Sequence, residues 1–435
     1  MLALMNLMEI QKIPPGIYKW ELKVIAESIC KDSIMTGDEK MKELPKTRRD
    51  FMKTTAAGAA GIVLAKPKML SAQASGAIRI EEPFHGAVLN RRHGKQVGGG
   101  LKIKVSGQAP LNGRVIVNGL PARRDGTKFT SEIILRQKQT EIIAVSENNL
   151  GRGEHRVRVI WDRHSEPRYR FSIDDNSFFL RDIAKNKYAS LFDCFYLKNL
   201  RQLHSKYGTR FVLNIYYTTE DGFELPQFPD RYKGQWRDNS DWLKLAFHAY
   251  ANKPDRPYQN ATASKLIADF DKVAEQIIRF ASEQAYSPPT VIHWGMVRPE
   301  ALKPLYERGV RALSGYFRKQ GDTWDVNYLI DDVRSEYLSR HDALMDFESG
   351  IVFSRVDIVC NSTPVERIIP TLEPLTKDPN QAEIMDIFTH EQYFWPFYSN
   401  YLPDHFKRLD VAIRWLTEKG YRPVFFHEGF LGGPE

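Results

Sequence analysis

The sequence predicts an all-β sandwich followed by an α/β domain, a distorted barrel of seven or eight (β/α) units. Three observations predict it. Between Ile78 and Trp161 apolar and polar residues alternate with a period of two. Turn residues recur through that stretch at Gly107, Gly113, Asn118-Gly119, Asp125-Gly126 and Asn148 to Gly153, the spacing of short antiparallel strands. From Tyr169 onward strand-like and helix-like runs alternate, as in a parallel sheet with helices packed around it.

Of 435 residues, 42% are hydrophobic and 27% charged, which suits a globular chain of two or three domains. Residues 41–74 read as an export signal. Thr47-Arg48-Arg49-Asp50-Phe51-Met52-Lys53 has the twin-arginine pattern, a small-residue apolar run spans Thr54 to Ala65, and Ala72-Gln73-Ala74 offers a cleavage point. Residues 1–40 lie upstream of that signal and read as an over-extended start, with Met41 the more usual beginning. The expected location is therefore the periplasm or the exterior. An apolar run of about a dozen residues is short of the ~20 needed to span a bilayer, so no stable membrane insertion is expected after cleavage.

The formal charge of +8 shrinks to +4 without the first 74 residues, which carry 12 Lys and Arg against 8 Asp and Glu. No basic cluster is interleaved with aromatics, which argues against a nucleic-acid partner. Beyond residue 74 only Cys194 and Cys360 remain, and two buried thiols are expected. Protein partners have no signature in the sequence.

Residues 76–163 form the first folded domain. Leu101, Ile103 and Val105 alternate with lysines, Val115 and Val117 lead into the Asn118-Gly119 turn, and Val157, Val159 and Trp161 continue the pattern. The module resembles the immunoglobulin-like domains that accompany bacterial carbohydrate enzymes, with Val117-Asn118-Gly119 and Ala144 to Gly151 matching their turn and their closing segment loosely. A spacer or docking role is implied.

Residues 168–435 form the second domain. Tyr169 to Asn176 reads as its first strand and ends in Asp174-Asp175. A helical region closes with Leu197, Leu200 and Leu203 on one face and Gly208 as a stop. Phe211 to Tyr217 and Trp242 to Tyr250 are the next strands. Ser264 to Glu283 is a helix with Leu266, Phe270, Val273, Ile277 and Phe280 on one stripe. Thr290 to Trp294 is expected as a strand, Pro299 to Arg308 as a helix and Val310 to Phe317 as a strand. In Lys319 to Asn361 only Gly350 to Asn361 is strand-like. Glu383 to His390 is a strand, Pro403 to Lys419 a helix stopped by Gly420, and Pro423 to His427 the closing strand.

In a parallel barrel the C-terminal strand ends converge on one face. Asp174-Asp175, His248, His293, His390 and His427 all fall at expected strand ends. Two adjacent carboxylates there can divide work, one holding a cation and the other acting as a base; alternatively, they cap the next helix. Any one of these histidines, taken singly, is more often a hydrogen-bonded core residue. Tyr217, Tyr250, Trp294, Tyr316 and Tyr393 lie at or just beyond the same strand ends and are candidates to stack on sugar rings, with core packing the competing role for at least half of them.

The order of these residues resembles the polysaccharide deacetylase family, metal-dependent carbohydrate esterases, over about Tyr169 to Glu428. Ser172-Ile173-Asp174-Asp175-Asn176 stands where that family has Thr-Phe-Asp-Asp-Gly. The resemblance implies Asp174 as general base and Asp175 as a ligand of zinc or a similar divalent ion. His248-Ala249-Tyr250-Ala251-Asn252 stands in place of His-Ser/Thr-x-x-His, so the first histidine is kept and the second is Asn252. Ile387-Phe388-Thr389-His390, then a helix and Lys419-Gly420-Tyr421, match the last motif and imply His390 as general acid. The Arg-x-Pro motif is absent, and Ile292-His293-Trp294-Gly295 occupies its strand end. Zinc usually takes three protein ligands, so Asp175, His248 and His293 are the expected set, with Asn252 as the fallback.

The implied function is an exported, metal-dependent hydrolase that removes acyl groups from a glycan substrate. Two other readings stay open. One is a barrel that binds carbohydrate without catalysis. The other is a glycoside hydrolase using carboxylates such as Asp174 with Glu391 or Glu428.

Overall fold

The computed structural model describes residues 77–149 and 151–434. The expected over-extended start and the twin-arginine signal lie outside these residues. Residues 75–435 form one compact unit.

Ten strands come first: β1 (Arg79–Glu82), β2 (Val88–Leu89), β3 (Lys95–Val97), β4 (Gly100–Gln108), β5 (Arg114–Val117), β6 (Leu120–Pro121), β7 (Arg123–Asp125), β8 (Lys128–Leu135), β9 (Gln139–Asn148) and β10 (Gly151–Trp161). They make two five-stranded sheets, β1-β4-β8-β7 with β3 added to β4, and β2-β10-β9-β5-β6. The inward residues of both, among them Leu101, Ile103, Val105, Val115, Val117, Ile142, Val157 and Val159, share one core. That is the period-two pattern expressed as burial. Asn118 and Gly119 both have positive φ (45° and 81°), which the tight turn between β5 and β6 requires.

The chain then enters β11 (Arg168–Asn176), followed by α1 (Phe178–Asn186), α2 (Phe195–Tyr207), β12 (Phe211–Tyr216), α3 (Lys233–Asp238), β13 (Leu243–Ala249) and α4 (Ala263–Phe280). Gly208, at φ 70°, ends α2 and returns its N–H to the His204 carbonyl at 2.6 Å. Thr262 caps α4 by accepting from Lys265 N, and Leu266, Phe270, Val273, Ile277 and Phe280 make its buried stripe. After α5 (Leu302–Glu307) come β14 (Ala312–Gly315), a hairpin of β15 (Arg318–Gln320) and β16 (Thr323–Asp325), α6 (Asp332–Leu338), β17 (Ala343–Met345), β18 (Val352–Arg355) and β19 (Ile358–Val359). α7 (Val365–Leu372), β20 (Ile384–His390), α8 (His405–Glu418) and β21 (Arg422–Pro423) complete the set.

The second domain has a six-stranded parallel sheet, β13-β12-β11-β20-β19 with β21 on β11, and a three-stranded sheet, β14-β18-β17. Residues 285–290 lie between them. Leu245 N donates to Ala285 O and Ser287 N to Leu245 O, both at 2.8 Å, while Ser314 N donates to Thr290 O at 2.7 Å. On the other flank Val356 N reaches Gly315 O and Asp357 N reaches Asp386 O, both at 2.9 Å. β12 is buried on both faces throughout.

Three expectations need correction. Thr290 to Trp294 is not a strand: Pro288 and Pro289 remove two ladder donors, and His293–Gly295 turns as a short 3₁₀ segment with Trp294 at φ 64°. Lys319 to Asn361 holds more structure than its one strand-like stretch, because its elements are only two to seven residues long and carry no period. Only Arg422–Pro423 of the closing segment pairs, and His427 lies in a turn beside Ser287, whose Oγ is 2.8 Å from His427 Nδ1.

The all-β module docks on the second domain through Met345 N to Gly86 O at 2.8 Å, a stack of Phe84 on Tyr337 with centroids 4.6 Å apart, and an apolar cluster in which Ile160 meets Ala343, Val352, Ile384 and Phe426. Arg91 and Arg92 both reach the fully buried Glu383, at 3.1 and 2.5 Å. Cys194 and Cys360 are buried free thiols, pushed up to about 12 first of all by burial.

Candidate metal centre

Three adjacent strands lose regular pairing at one level. The register of β11 against β12 slips between Ile173 and Asn176, with Asp175 at φ 60°, and β12 against β13 slips so that Tyr216 pairs with Ala249 and His248 is left out. Irregularities of this kind re-aim side chains. Here they turn Asp175, Tyr216 and His248 toward one point, and the 3₁₀ turn adds His293.

Asp175, His248 and His293 each offer a ligand atom within 4.8 Å of the others, the one such group among the described residues. His248 Nε2 lies 3.0 Å and His293 Nδ1 3.3 Å from Asp175 Oδ1, and the two nitrogens face each other at 3.0 Å. Tyr216 donates its hydroxyl to the same Oδ1 and lies 3.2 Å from both His293 Nδ1 and Asn252 Oδ1. The other carboxylate oxygen, Oδ2, accepts from Gln392 Nε2 at 2.9 Å.

Charge and burial pull against each other in this cluster. Burial alone would raise Asp175, but hydrogen bonds from both histidines and the nearby His390 outweigh it and hold the carboxyl well below its usual range. His248 is buried, yet its bond to Asp175 and the neighbouring Asp174 charge raise it. His293 is lowered by burial and by His248, its bond to Asp175 notwithstanding. Burial and the Asp175 charge raise the Tyr216 hydroxyl well above 10. Two imidazole nitrogens and one carboxylate oxygen converging on a point are a donor set that fits zinc, iron or a similar divalent ion.

Asp174 is buried beside the cluster and accepts from Asn214 Nδ2 at 2.6 Å and Ser172 Oγ at 3.4 Å. His390 is its register partner on β20, and its Nδ1 lies 2.9 Å from Asn361 Oδ1. An amide oxygen accepts only, so Nδ1 is the donor in this contact. Neither aspartate caps α1. Glu391 does: its carboxylate accepts from Ser177, Phe178 and Phe179 N at 2.6 to 2.8 Å and from Trp395 Nε1 at 3.1 Å.

The remaining sequence candidates scatter. Asn252 reaches the cluster through its side chain at Tyr216 and its backbone at His293, and turns its Nδ2 toward Glu220. Tyr217 and Tyr250 stack on each other, 5.0 Å apart. Trp294 is 40% exposed, next to His293 and under the Arg256 guanidinium. Tyr316 packs edge-on to Phe388, and Tyr393 lies 6.2 Å from the His390 ring. Glu428 pairs with Arg210, which precedes β12, and His427 has its charged neighbours Lys244 and Arg210 there too; both therefore sit at the N-terminal ends of the strands, away from Asp174.

Sequence reasoning missed Tyr216, Gln392, Asn214, Asn361 and the role of Glu391. A signal existed for one of them: Asn214 is the one amide among the aliphatic and aromatic side chains of Phe211–Tyr216.

No family model and no curated protein matches this chain. Among solved structures, a sialyltransferase from Photobacterium damsela matches at 12% identity over 77% of this chain, with a TM-score of 0.14, and the chain spans 65% of that structure's length. A likeness at that level carries no argument about fold or function.

Proposed function

We propose that this chain is an exported hydrolase of the metal-dependent deacetylase type, acting on acylated glycans, with its site at the mouth of an incomplete (β/α) barrel that follows an immunoglobulin-like module. The observation that carries the reading is the convergence of Asp175, His248 and His293 on one point beside the buried Asp174. A divalent cation held by those three would supply Lewis acidity to an acyl carbonyl.

The chain's own groups divide the remaining work. Asp174, oriented by Asn214 and Ser172, accepts the proton of the attacking water. His390, its Nδ1 proton directed to Asn361, delivers a proton from Nε2 to the departing sugar oxygen or nitrogen. Gln392 fixes the orientation of Asp175 from the far oxygen. Tyr217, Tyr250, Trp294, Tyr316 and Tyr393 are the candidates to line the sugar path. The twin-arginine motif supports export in folded form. Among the described residues no helix is long and apolar enough to cross a membrane.

The carboxylate pairs of a glycosidase find little support. Glu391 spends both oxygens on four N–H groups, and Glu428 lies at the opposite strand ends.

The test is metal content by mass spectrometry on purified protein, wild type beside His248→Ala and His293→Ala, followed by acyl release from acetylated oligosaccharides. The reading expects a near-stoichiometric divalent ion lost in both variants. Wild-type protein that holds no ion even after reloading overturns it and favours a carbohydrate-binding barrel.

A further inference from the structure

Tyr216 does not sit where a supporting residue would. A carboxylate that ligates a cation through one oxygen is usually steadied through the other, and Gln392 Nε2 already does this at Asp175 Oδ2, 2.9 Å away. Tyr216 goes instead to Oδ1, the oxygen that faces both histidines. Its hydroxyl is also 3.2 Å from His293 Nδ1, the nitrogen that faces His248 Nε2. The phenol oxygen therefore lies on the inner side of the cluster, among the ligand atoms.

Crowding at Oδ1 points the same way. Three potential donors, Tyr216, His248 and His293, approach one oxygen with two in-plane lone pairs. At 3.0 Å from each other, the two imidazole nitrogens compete for the same proton positions. A cation shared by all four atoms removes the competition, because each then presents a lone pair inward.

We infer that the Tyr216 oxygen is a fourth protein donor to the cation held by Asp175, His248 and His293, so that the centre is a two-histidine, one-aspartate, one-tyrosine site. The inference rests on the reading of those three residues as one cation site. On binding, the phenol proton leaves to solvent and the oxygen coordinates as phenolate, with no change of oxidation state. A consequence follows for the choice of ion. Four protein donors complete a zinc tetrahedron and leave no open position for catalysis, whereas iron accepts five or six ligands and keeps positions free for water and substrate.

The test is optical. Apoprotein of the full chain is loaded with ferric iron, bound iron is counted by mass spectrometry, and the visible spectrum is recorded for wild type, Tyr216→Phe and Tyr216→His. A phenolate bound to ferric iron gives an intense visible charge-transfer band. Wild type should show it, and both variants should lose it, Tyr216→His retaining iron through its replacement imidazole. Iron-loaded wild type without the band overturns the inference, as does a band that persists in either variant. Wild type that binds no metal ion of any kind overturns the three-residue site itself, a different result from iron bound without colour.

Discussion

Glu391 carries the start of α1 by itself. Ser177, the residue preceding that helix, makes no side-chain cap, and its N–H and those of Phe178 and Phe179 all turn to the Glu391 carboxylate, which follows the adjacent strand β20. Glu391→Ala leaves those donors in a buried place, and each unmet group costs about 1–3 kcal/mol. The expected loss is about 2–4 kcal/mol once partial hydration is allowed for, read as a lower urea midpoint, with Glu391→Gln intermediate. On the deacetylase reading proposed above, Asp174→Asn is expected to keep the cation and the urea midpoint while acyl release falls by about 10²–10⁴-fold, the worth of a general base. The convergence of Asp175, His248 and His293 was partly legible in the sequence. Asp174, Asp175, His248 and His390 stand in the order of the resembled motifs, and His293 stands at an expected strand end, although the chain there turns as a 3₁₀ segment. Tyr216 could not be read this way, because β12 is buried on both faces and alternation there does not tell which side chains face the site. The Glu391 cap joins residues more than two hundred positions apart, and no local pattern encodes it.

Two helix ends allow a paired test at the scale of the element. Gly208 and Lys187 both end helices in the left-handed region, at φ 70° and 53°. A Cβ at Gly208 would meet nothing within 4 Å, so Gly208→Ala costs only backbone strain, about 1 kcal/mol, and Lys187→Gly should gain a similar or smaller amount. Thermal melts of the two variants should move in opposite directions. His405, at the start of α8, and His427, in the closing turn, are held neutral, down to about 3 and about 4, by burial first and then by Arg408 and by Lys244 with Arg210 respectively. Unfolded imidazoles take up protons below about 6.5, so the stability due to both is complete above that pH and is lost as pH falls toward 4 and then 3, by up to about 1.4 kcal/mol per pH unit per ring. His427→Gln should flatten the fall between pH 6.5 and 4 in urea titrations. The strong helices, α2, α4 and α8, were readable from their stripes and stops. The elements between Lys319 and Asn361 are too short for any period to show, and at 290–294 the prolines outweighed the apolar run.

For the molecule as a whole, the all-β module and the α/β part are cemented into one compact unit. Ile160 of the all-β module lies in one apolar cluster with Ala343, Val352, Ile384 and Phe426, and the buried Glu383 takes its cations from Arg91 and Arg92. A fragment of residues 168–435 would expose that patch and leave Glu383 unpaired, so it should aggregate or bind a hydrophobic dye, whereas full-length Glu383→Ala should stay soluble with a lower melting temperature. The sequence shows the change from period two to strand-helix alternation, but a seam made of residues from both sides of that change leaves no pattern in either. The turn Glu391–Phe394 has one more effect, on the order of events as the chain is made. Its first residue fastens α1 and its second holds Asp175, both laid down some two hundred positions earlier. During synthesis Asp175, His248 and His293 thus emerge long before the clamp that orders them, and a ribosome-bound chain halted ahead of residue 391 would carry all three with the cluster still unordered.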